Sequence, residues 1–120
     1  MSVHVKEHRT PSRTQIVCDV YRAFASGDRH LIERAFADEF TFSSPLDVGL
    51  DRVGYFDRCW PGAGQGQQFN FLRIVESGDE VIVTYEVTKV DGGRGRNTEI
   101  FTFSGDRIRV VEVYFGWTVH

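Results

Sequence analysis

The sequence predicts a single α+β domain in which N-terminal helices pack on one side of a bent antiparallel sheet. The chain of 120 residues is long enough for one hydrophobic core but not for two. Apolar residues recur at the helical period in the first half of the chain, and they alternate at the strand period after residue 68. We expect residues 12–120 to form the domain and residues 1–11 to form an N-terminal arm.

Two helices are predicted first. Ser12 followed by Gln15 is typical of a capping box, and Gly27 is typical of a helix end, so the first helix should lie between them. Asp28 can cap a second helix that continues to residue 40. Each segment carries an apolar stripe, formed by Ile16, Val17, Val20, Tyr21 and Phe24 in the first and by Leu31, Ile32, Ala35 and Phe36 in the second.

A short strand and a third helix should follow. The run that begins at Phe40 alternates like a strand and breaks at the Ser-Ser-Pro of residues 43–45. Asp51 can cap a short helix over residues 51–60, and Pro61 should end it. The predicted order is therefore three helices with one short strand among them.

Four β-rich runs in the second half predict a meander, because short Gly-containing links make successive strands antiparallel neighbours. In the third run Glu99 shares a face with Phe101 and Phe103. The second run presents an apolar core face made of Val81, Val83, Tyr85 and Val87. The four runs are 69–76, 81–90, 97–104 and 107–117.

Charge and hydropathy argue against several partners. Fourteen Lys and Arg residues are scattered along the chain against seventeen Asp and Glu residues, and the net charge is -3. Nucleic acid and acidic membranes are therefore not expected as partners. We expect a cytoplasmic protein, because the sequence has neither a membrane-length apolar run nor an N-terminal secretion segment.

Cofactor and metal motifs are also missing from the sequence. Cys18 and Cys59 are expected to be reduced thiols. His4 and His8 are four residues apart but lack a metalloprotease motif, so no metal site is expected there. The Gly-rich loop of residues 62–66 lacks the spacing of a dinucleotide-binding turn, and we expect it to be a mobile link beside a pocket. No cofactor is therefore predicted.

Several pieces of the chain, taken in order, resemble one family. The stretch YRAFASGDRHLIERAFADEFTFSSP, followed by a short helix and a meander ending in VEVYFGW, resembles the nuclear-transport-factor-2-like superfamily, in the branch of ketosteroid isomerase and the SnoaL-like polyketide cyclases. The resemblance implies a cone-shaped, cystatin-like fold in which the curved sheet wraps around the long helix and leaves an apolar pocket open at one end. It also implies a homodimer through the outer sheet face, where we expect Ile100, Thr102, Val110, Glu112 and Tyr114.

The catalytic residues implied by this resemblance are matched only in part. The isomerases have a proton-shuttling carboxylate before the Pro of the first strand, where this chain has Ser44. Their helical tyrosine is matched by Val20, and Tyr21 is rotated from that place by about 100° around the helix. Glu99 stands where they keep a protonated acid. Steroid isomerisation by that mechanism is therefore not expected, and Val113 at the late strand position disfavours the epoxide-hydrolase arrangement of related proteins.

Glu99 is the first candidate for chemistry. Because it shares a strand face with core aromatic rings, burial should raise the pKa of its carboxyl group towards neutrality, where it could give or take a proton. Tyr85 on the neighbouring strand is its expected hydrogen-bond partner. The alternative is an ordinary ion pair or hydrogen bond with Arg94, Arg96 or Asn97 near the strand end.

Asp47 is the second candidate, as a replacement for the missing base at the mouth of the pocket. Alternatively, Asp47 bonds its own backbone in a turn. Ser44 is expected to point inward, where its hydroxyl either donates into the pocket or satisfies a neighbouring backbone group. Asp51 is better explained as a helix cap.

The sequence thus predicts binding of a small apolar organic molecule, with cofactor-free acid-base chemistry of the isomerase, cyclase or dehydratase kind at Glu99 and Asp47. Two alternatives stay open, a non-catalytic ligand-binding module and a protein-interaction module. The predicted ligand contacts are Val20, Phe24, Phe42, Ser44, Tyr55, Trp60, Tyr85, Phe101, Val113 and Phe115.

Overall fold

A computed structural model describes residues 11–120 of the protein. Most of the predicted N-terminal arm, including His4 and His8, lies outside the described residues. No helix within residues 11–120 is both long enough and apolar enough to cross a membrane. In chain order the elements are α1 (Arg13–Ser26), α2 (Arg29–Ala35), β1 (Phe36–Ser43), α3 (Arg52–Arg58), a 3-10 turn (Trp60–Gly62), β2 (Gln68–Ser77), β3 (Glu80–Thr88), β4 (Arg94–Ser104) and β5 (Arg107–Val119).

The predicted caps begin the first two helices. The Ser12 hydroxyl accepts a hydrogen bond from the backbone N–H of Gln15 at 3.1 Å, and the Asp28 carboxylate accepts one from the backbone N–H of Leu31 at 3.2 Å. The capping box is only half formed, because the Gln15 side chain donates to Asp19 one turn onward. Gly27 ends α1 with a φ of 84°, in the left-handed region that glycine adopts without steric cost.

The second helix is shorter than predicted. It ends at Ala35, and Phe36 already has extended backbone and pairs with Ile108 of β5. The four-residue spacing of Phe36 and Phe40 fits a helical stripe, but it also puts both residues on one face of a strand. Both rings lie in the core, where they stack with centroids 3.8 Å apart. Burial of two large rings therefore outweighs the helical pattern.

Asp51 caps the third helix as predicted, accepting a hydrogen bond from the backbone N–H of Gly54 at 2.8 Å. The helix ends two residues earlier than expected, at Arg58. Trp60 and Pro61 belong to the following 3-10 turn instead. Proline fits the first positions of such a turn because its missing N–H would have had no intrahelical partner there.

The five strands form one curved, unclosed sheet in the order β1-β5-β4-β3-β2. Strands β2 to β5 make the predicted antiparallel meander. The predicted antiparallel sheet has one exception at its edge, where β1 pairs with β5 in parallel. Parallel pairing is possible there because helix α3 and the whole β2–β4 meander separate the two strands in sequence, which leaves ample chain for a crossover.

The helices pack on one face of this sheet, which we call the inner face; the opposite face is the outer face. Their contact buries an apolar core, and the α+β prediction is confirmed. The largest fully buried side chains are Phe36, Phe40, Ile32, Ile108, Val17, Val81 and Val83.

Candidate functional site

A cavity of about 610 Å³ opens on the inner face, next to the packed core. Aromatic side chains reach its wall from α1, from α3 and from every strand of the sheet. Tyr21 and Phe24 come from α1, and Tyr55 comes from α3. The strands contribute Phe42, Phe69, Tyr85, Phe101 and Phe115 in chain order. These rings line a space instead of filling it.

Glu99 lies in this cavity as the strand register predicts. It is opposite Val83 on β3 and Val113 on β5, both of which are buried. The Tyr85 hydroxyl donates a hydrogen bond to Oε2 of Glu99 at 2.5 Å, so the predicted cross-strand pair is confirmed. None of the hydrogen bonds within residues 11–120 involves Oε1 of Glu99. Glu99 thus has one oxygen held by protein and one left for the cavity.

The alternative partners of Glu99 are engaged elsewhere. Arg94 and Arg96 both bind Glu86 on the outer face, at 3.2 Å each. Asn97 does face inward, but its amide donates to the Tyr85 hydroxyl at 3.2 Å. Among the described residues no cation pairs with Glu99.

The pKa of Glu99 is raised to about 7 by desolvation, because the carboxyl lies deep among apolar atoms. The hydroxyls of Tyr85 and Tyr21 act in the opposite direction and keep the pKa from rising further. The residue nevertheless retains accessible surface, since it faces the cavity rather than packing against a neighbour. Glu99 is therefore able to exchange a proton near neutral pH.

Tyr21 is closer to Glu99 than its helical position suggested. Its ring lies 5.2 Å from the ring of Tyr85 and 5.8 Å from that of Phe101, centroid to centroid. Its hydroxyl is buried and makes no well-formed hydrogen bond, although it is near enough to Glu99 to affect the pKa of the carboxyl. The expectation that Tyr21 is rotated away from the site is wrong, because the stripe of α1 is wide enough for Val20 and Tyr21 both to reach the cavity.

Asp47 lies at the mouth of the cavity in an ion pair. The Arg58 guanidinium donates from Nε to Oδ1 of Asp47 at 2.6 Å. Ser44 organises the same turn, because its hydroxyl accepts from the backbone N–H groups of Leu46 and Asp47. The backbone alternative thus accounts for Ser44, although the residue still borders the cavity.

Nine of the ten predicted ligand contacts lie on the cavity wall; their contact with a ligand stays a prediction. Trp60 is the exception, because it packs in the 3-10 turn against Phe24 and Phe56, with ring centroids 5.9 Å apart in both cases. The nine are Val20, Phe24, Phe42, Ser44, Tyr55, Tyr85, Phe101, Val113 and Phe115.

Sequence reasoning missed several residues of the cavity. Phe69 and Val87 occupy inward positions of β2 and β3, and strict alternation predicts both. Asn97 lies two residues before Glu99 on the same face, so alternation could have placed it as well. Gln67 borders the cavity from the loop before β2, and no sequence signal marks that position.

The Gly-rich loop and Cys59 also border the cavity. Backbone hydrogen bonds from Gly64 to Phe24 and from Gly66 to Ala25 tie the loop to the end of α1, which does not fit the expected mobile link. Cys18 and Cys59 are free thiols, and burial raises the pKa of Cys59 to about 11. No group of three or more His, Cys, Asp or Glu side chains that could hold a metal occurs in the part of the chain that the structure describes.

Comparisons with known proteins agree with this architecture. The SnoaL-like domain family matches residues 17–111, which is most of the chain. The chain belongs to the SnoaL-like domain family. Among curated proteins none matches it.

Solved structures with the same fold have diverged far in sequence from this SnoaL-like domain. An NTF2-like protein of unknown function from Cytophaga hutchinsonii is 15% identical over 91% of this chain and 94% of its own, with a TM-score of 0.76. A protein assigned as a polyketide cyclase from Acidithiobacillus ferrooxidans is 19% identical over 88% and 89%, with a TM-score of 0.71. An LEH-like epoxide hydrolase from M. tuberculosis is 17% identical over 87% and 82%, also with a TM-score of 0.71. At these identities the likeness shows the fold alone.

Proposed function

We propose that this SnoaL-like domain binds a small, largely apolar organic molecule in the cavity and that Glu99 moves a proton on it. The reaction would be cofactor-free and of the isomerase, cyclase or dehydratase kind. One observation carries this proposal: Glu99 lies without a cation among aromatic rings, with one oxygen left for the cavity. A carboxyl in such surroundings costs stability when it ionises, so its retention fits a chemical role better than a structural one.

The size and wall of the cavity support the class of ligand. Cavities of roughly 300–1,000 Å³ take drug-sized molecules and bury most of their surface. The volume here, about 610 Å³, is in the middle of that range. Rings on every side favour a ligand with flat or aliphatic carbon surface, and the carboxyl of Glu99 requires one polar group at the inner end.

A single carboxyl is sufficient for a proton shuttle. In its ionised form Glu99 takes a proton from a carbon whose acidity a neighbouring carbonyl raises, and it returns that proton to another atom of the same molecule. The hydrogen bond from Tyr85 stabilises the carboxylate. A pKa of about 7 matches this task, because both forms of the acid are populated near neutral pH.

A second candidate function is binding without turnover, and one observation favours it. Asp47, the proposed replacement base, is paired with Arg58 at the mouth. Tyr55 and Tyr85 border the cavity too, but burial raises the pKa of both phenols above the ordinary value, so neither acts as a base near neutral pH. Neither the paired Asp47 carboxylate nor these protonated phenols then give Glu99 a second base. A protein-interaction role receives less support, because the cavity is not filled by side chains.

We also propose a homodimer through the outer face. Tyr114 and Trp117 are more than half exposed there, and the predicted interface residues Ile100 and Val110 share that face. Sedimentation at micromolar concentration would give twice the monomer mass if this is right and the monomer mass if it is wrong.

Two measurements test the function. Native mass spectrometry of freshly purified protein would reveal a co-purifying molecule, and that molecule then serves as the probe. Glu99→Gln should weaken its binding at least about tenfold and reduce any turnover by roughly 10²–10⁴-fold. Glu86→Gln is the matched control, since it removes a carboxylate from the outer face and should change neither.

The outcomes separate the two candidates. Turnover that is lost in Glu99→Gln supports the enzyme, whereas altered binding with no turnover in either protein supports the binder. Unchanged binding and unchanged turnover in Glu99→Gln would rule out a role for this carboxyl.

A further inference from the structure

Glu99 is the end of a directed chain of hydrogen bonds that starts in the backbone of β5. The backbone N–H of Gly116 points to Oδ1 of Asn97 at 3.4 Å, and the Asn97 amide donates from Nδ2 to the Tyr85 hydroxyl at 3.2 Å. The Tyr85 hydroxyl then donates to Oε2 of Glu99. Every donor in this chain points towards Glu99.

The direction is fixed by simple accounting of donors and acceptors. A phenol has one proton to donate. The Asn97 atom that faces the Tyr85 hydroxyl is Nδ2, which can only donate, so the Tyr85 hydroxyl accepts from Asn97. The Tyr85 proton is therefore available for Glu99. If the amide of Asn97 were turned over, its oxygen would compete with Glu99 for that proton.

Gly116 prevents this reversal. It lies at a register irregularity between β4 and β5, where the two backbones approach closely. A Cβ atom at residue 116 would lie 2.4 Å from the carbonyl oxygen of Arg96, so only glycine fits without a shift of the strand. The close approach brings the backbone N–H of Gly116 to the oxygen of Asn97, where a turned amide would present its NH₂ group instead.

We propose that Asn97 is a positioning residue that holds the Tyr85 proton on Oε2 of Glu99 and so leaves Oε1 as the oxygen that exchanges a proton with a ligand. The catalytic consequence of this arrangement rests on the proposed function of Glu99. When Glu99 is neutral, its own proton sits on Oε1, because Oε2 is occupied by Tyr85 as an acceptor. The acid and the base are thus the same atom, which faces the cavity in both states.

Other ionisable groups also face Glu99 and must be separated from this effect. Tyr21 approaches from α1, Tyr55 and Cys59 from α3 and its end, and Tyr85 from β3. Of these groups within residues 11–120, Tyr85 alone is hydrogen-bonded to Asn97. An effect of Asn97 on the titration of Glu99 should therefore pass through Tyr85.

A double-mutant cycle tests this route without a ligand. The titration of the Glu99 side-chain carboxyl is followed by ¹³C NMR, and its signal is identified by its absence in Glu99→Gln. Asn97→Leu should raise the titration midpoint by roughly 0.5–1 pH unit, because Tyr85 becomes a weaker donor to the carboxylate. In the Tyr85→Phe background the same substitution should move the midpoint by less than about 0.2 pH unit.

The control is Thr98→Val, at the position next to Asn97 in the chain. It removes a hydroxyl that is hydrogen-bonded to Thr84 and should leave the titration midpoint of Glu99 unchanged. If Asn97→Leu does not fold, Asn97→Ala serves in the same cycle. An equal shift in both backgrounds, or no shift in either, would overturn the proposal. A titration midpoint of Glu99 near 4.5 in the wild type would contradict the proposed role of Glu99. The effect of Asn97→Leu in the wild type could still be compared with its effect in Tyr85→Phe.

Discussion

The two faces of the sheet each hold a carboxylate that is largely covered, and they treat it differently. On the outer face Glu86 is bound by two arginines, Arg94 and Arg96, and its side chain is 14% exposed. On the inner face, among residues 11–120, Glu99 has one well-formed hydrogen bond, from the Tyr85 hydroxyl, and the Tyr21 hydroxyl lies nearby. The two residues lie on adjacent strands of the same sheet, so strand position alone does not account for the difference.

A buried acid needs compensating charge in order to be ionised. Guanidinium groups supply charge that replaces the lost water, whereas a hydroxyl supplies one dipole. The pKa of Glu99 is accordingly raised to about 7 by desolvation. On the outer face Glu86 therefore links two arginine side chains. On the inner face Glu99 is an acid whose charge changes near neutral pH.

The largest effect is expected when Glu99 loses its charge. The pKa of Glu99 is raised on folding from 4.5 to about 7, so the folded state binds the proton more tightly than the unfolded state does. Protonated Glu99 therefore stabilises the folded state. This contribution to the free energy of unfolding is complete below pH 4.5 and is lost as the pH rises through 7. Glu99→Gln removes that loss. Its advantage in the free energy of unfolding over wild type should grow by roughly 2–3 kcal/mol between pH 5 and pH 8.

Urea unfolding of both proteins at the two pH values measures this. Other titrating groups are common to both proteins and cancel. An advantage that does not change with pH would mean that Glu99 titrates like an exposed carboxyl.

The next largest effect distinguishes the two tyrosines near Glu99. Tyr85→Phe should lower the free energy of unfolding by roughly 1–2 kcal/mol at pH 8, because the carboxylate loses its donor. Tyr21→Phe should destabilise the ligand-free protein less than Tyr85→Phe does, because the Tyr21 hydroxyl is near Glu99 but makes no well-formed hydrogen bond. Chemical denaturation of the two variants provides the comparison, and equal losses would contradict the structure.

On the outer face the corresponding change is smaller. Glu86→Gln should cost about 1 kcal/mol at pH 7, because the side chains of Arg94 and Arg96 are more than a third exposed and solvent screens the pairs. The loss should shrink in 1 M salt, where charge interactions are screened over about 3 Å. A loss that does not depend on salt would point to packing instead of charge.

The smallest effect concerns the ring beside Arg96. The Arg96 guanidinium lies over the ring of Trp117 at 5.6 Å from its centroid, and the ring is 66% exposed. Trp117→Leu should therefore cost no more than about 0.5 kcal/mol in thermal or chemical unfolding. A much larger loss in a monomer would show that Trp117 packs more tightly than its exposure indicates.

Much of this site follows from alternation along the strands. The inward position of Glu99, its partner Tyr85 and the wall residues Phe101 and Val113 are all set by a period of two, which neighbouring strands enforce. The placement of Tyr21 could not be obtained this way. On a helix, the residues that reach a cavity depend on how the helix is oriented over the sheet, and the sequence alone carries only the width of the apolar stripe.

The sequence by itself determined the local structure: the caps Ser12, Asp28 and Asp51, the strand faces, and the α+β class that they imply. Only the tertiary structure decided that Phe36 leaves the helix for a strand parallel to β5 and that Arg58 takes Asp47. Local signals act between residues a few positions apart, so they can be read along the chain. Parallel pairing and the choice of an ion-pair partner depend on which distant segments share the core, and that is settled only when the whole chain packs.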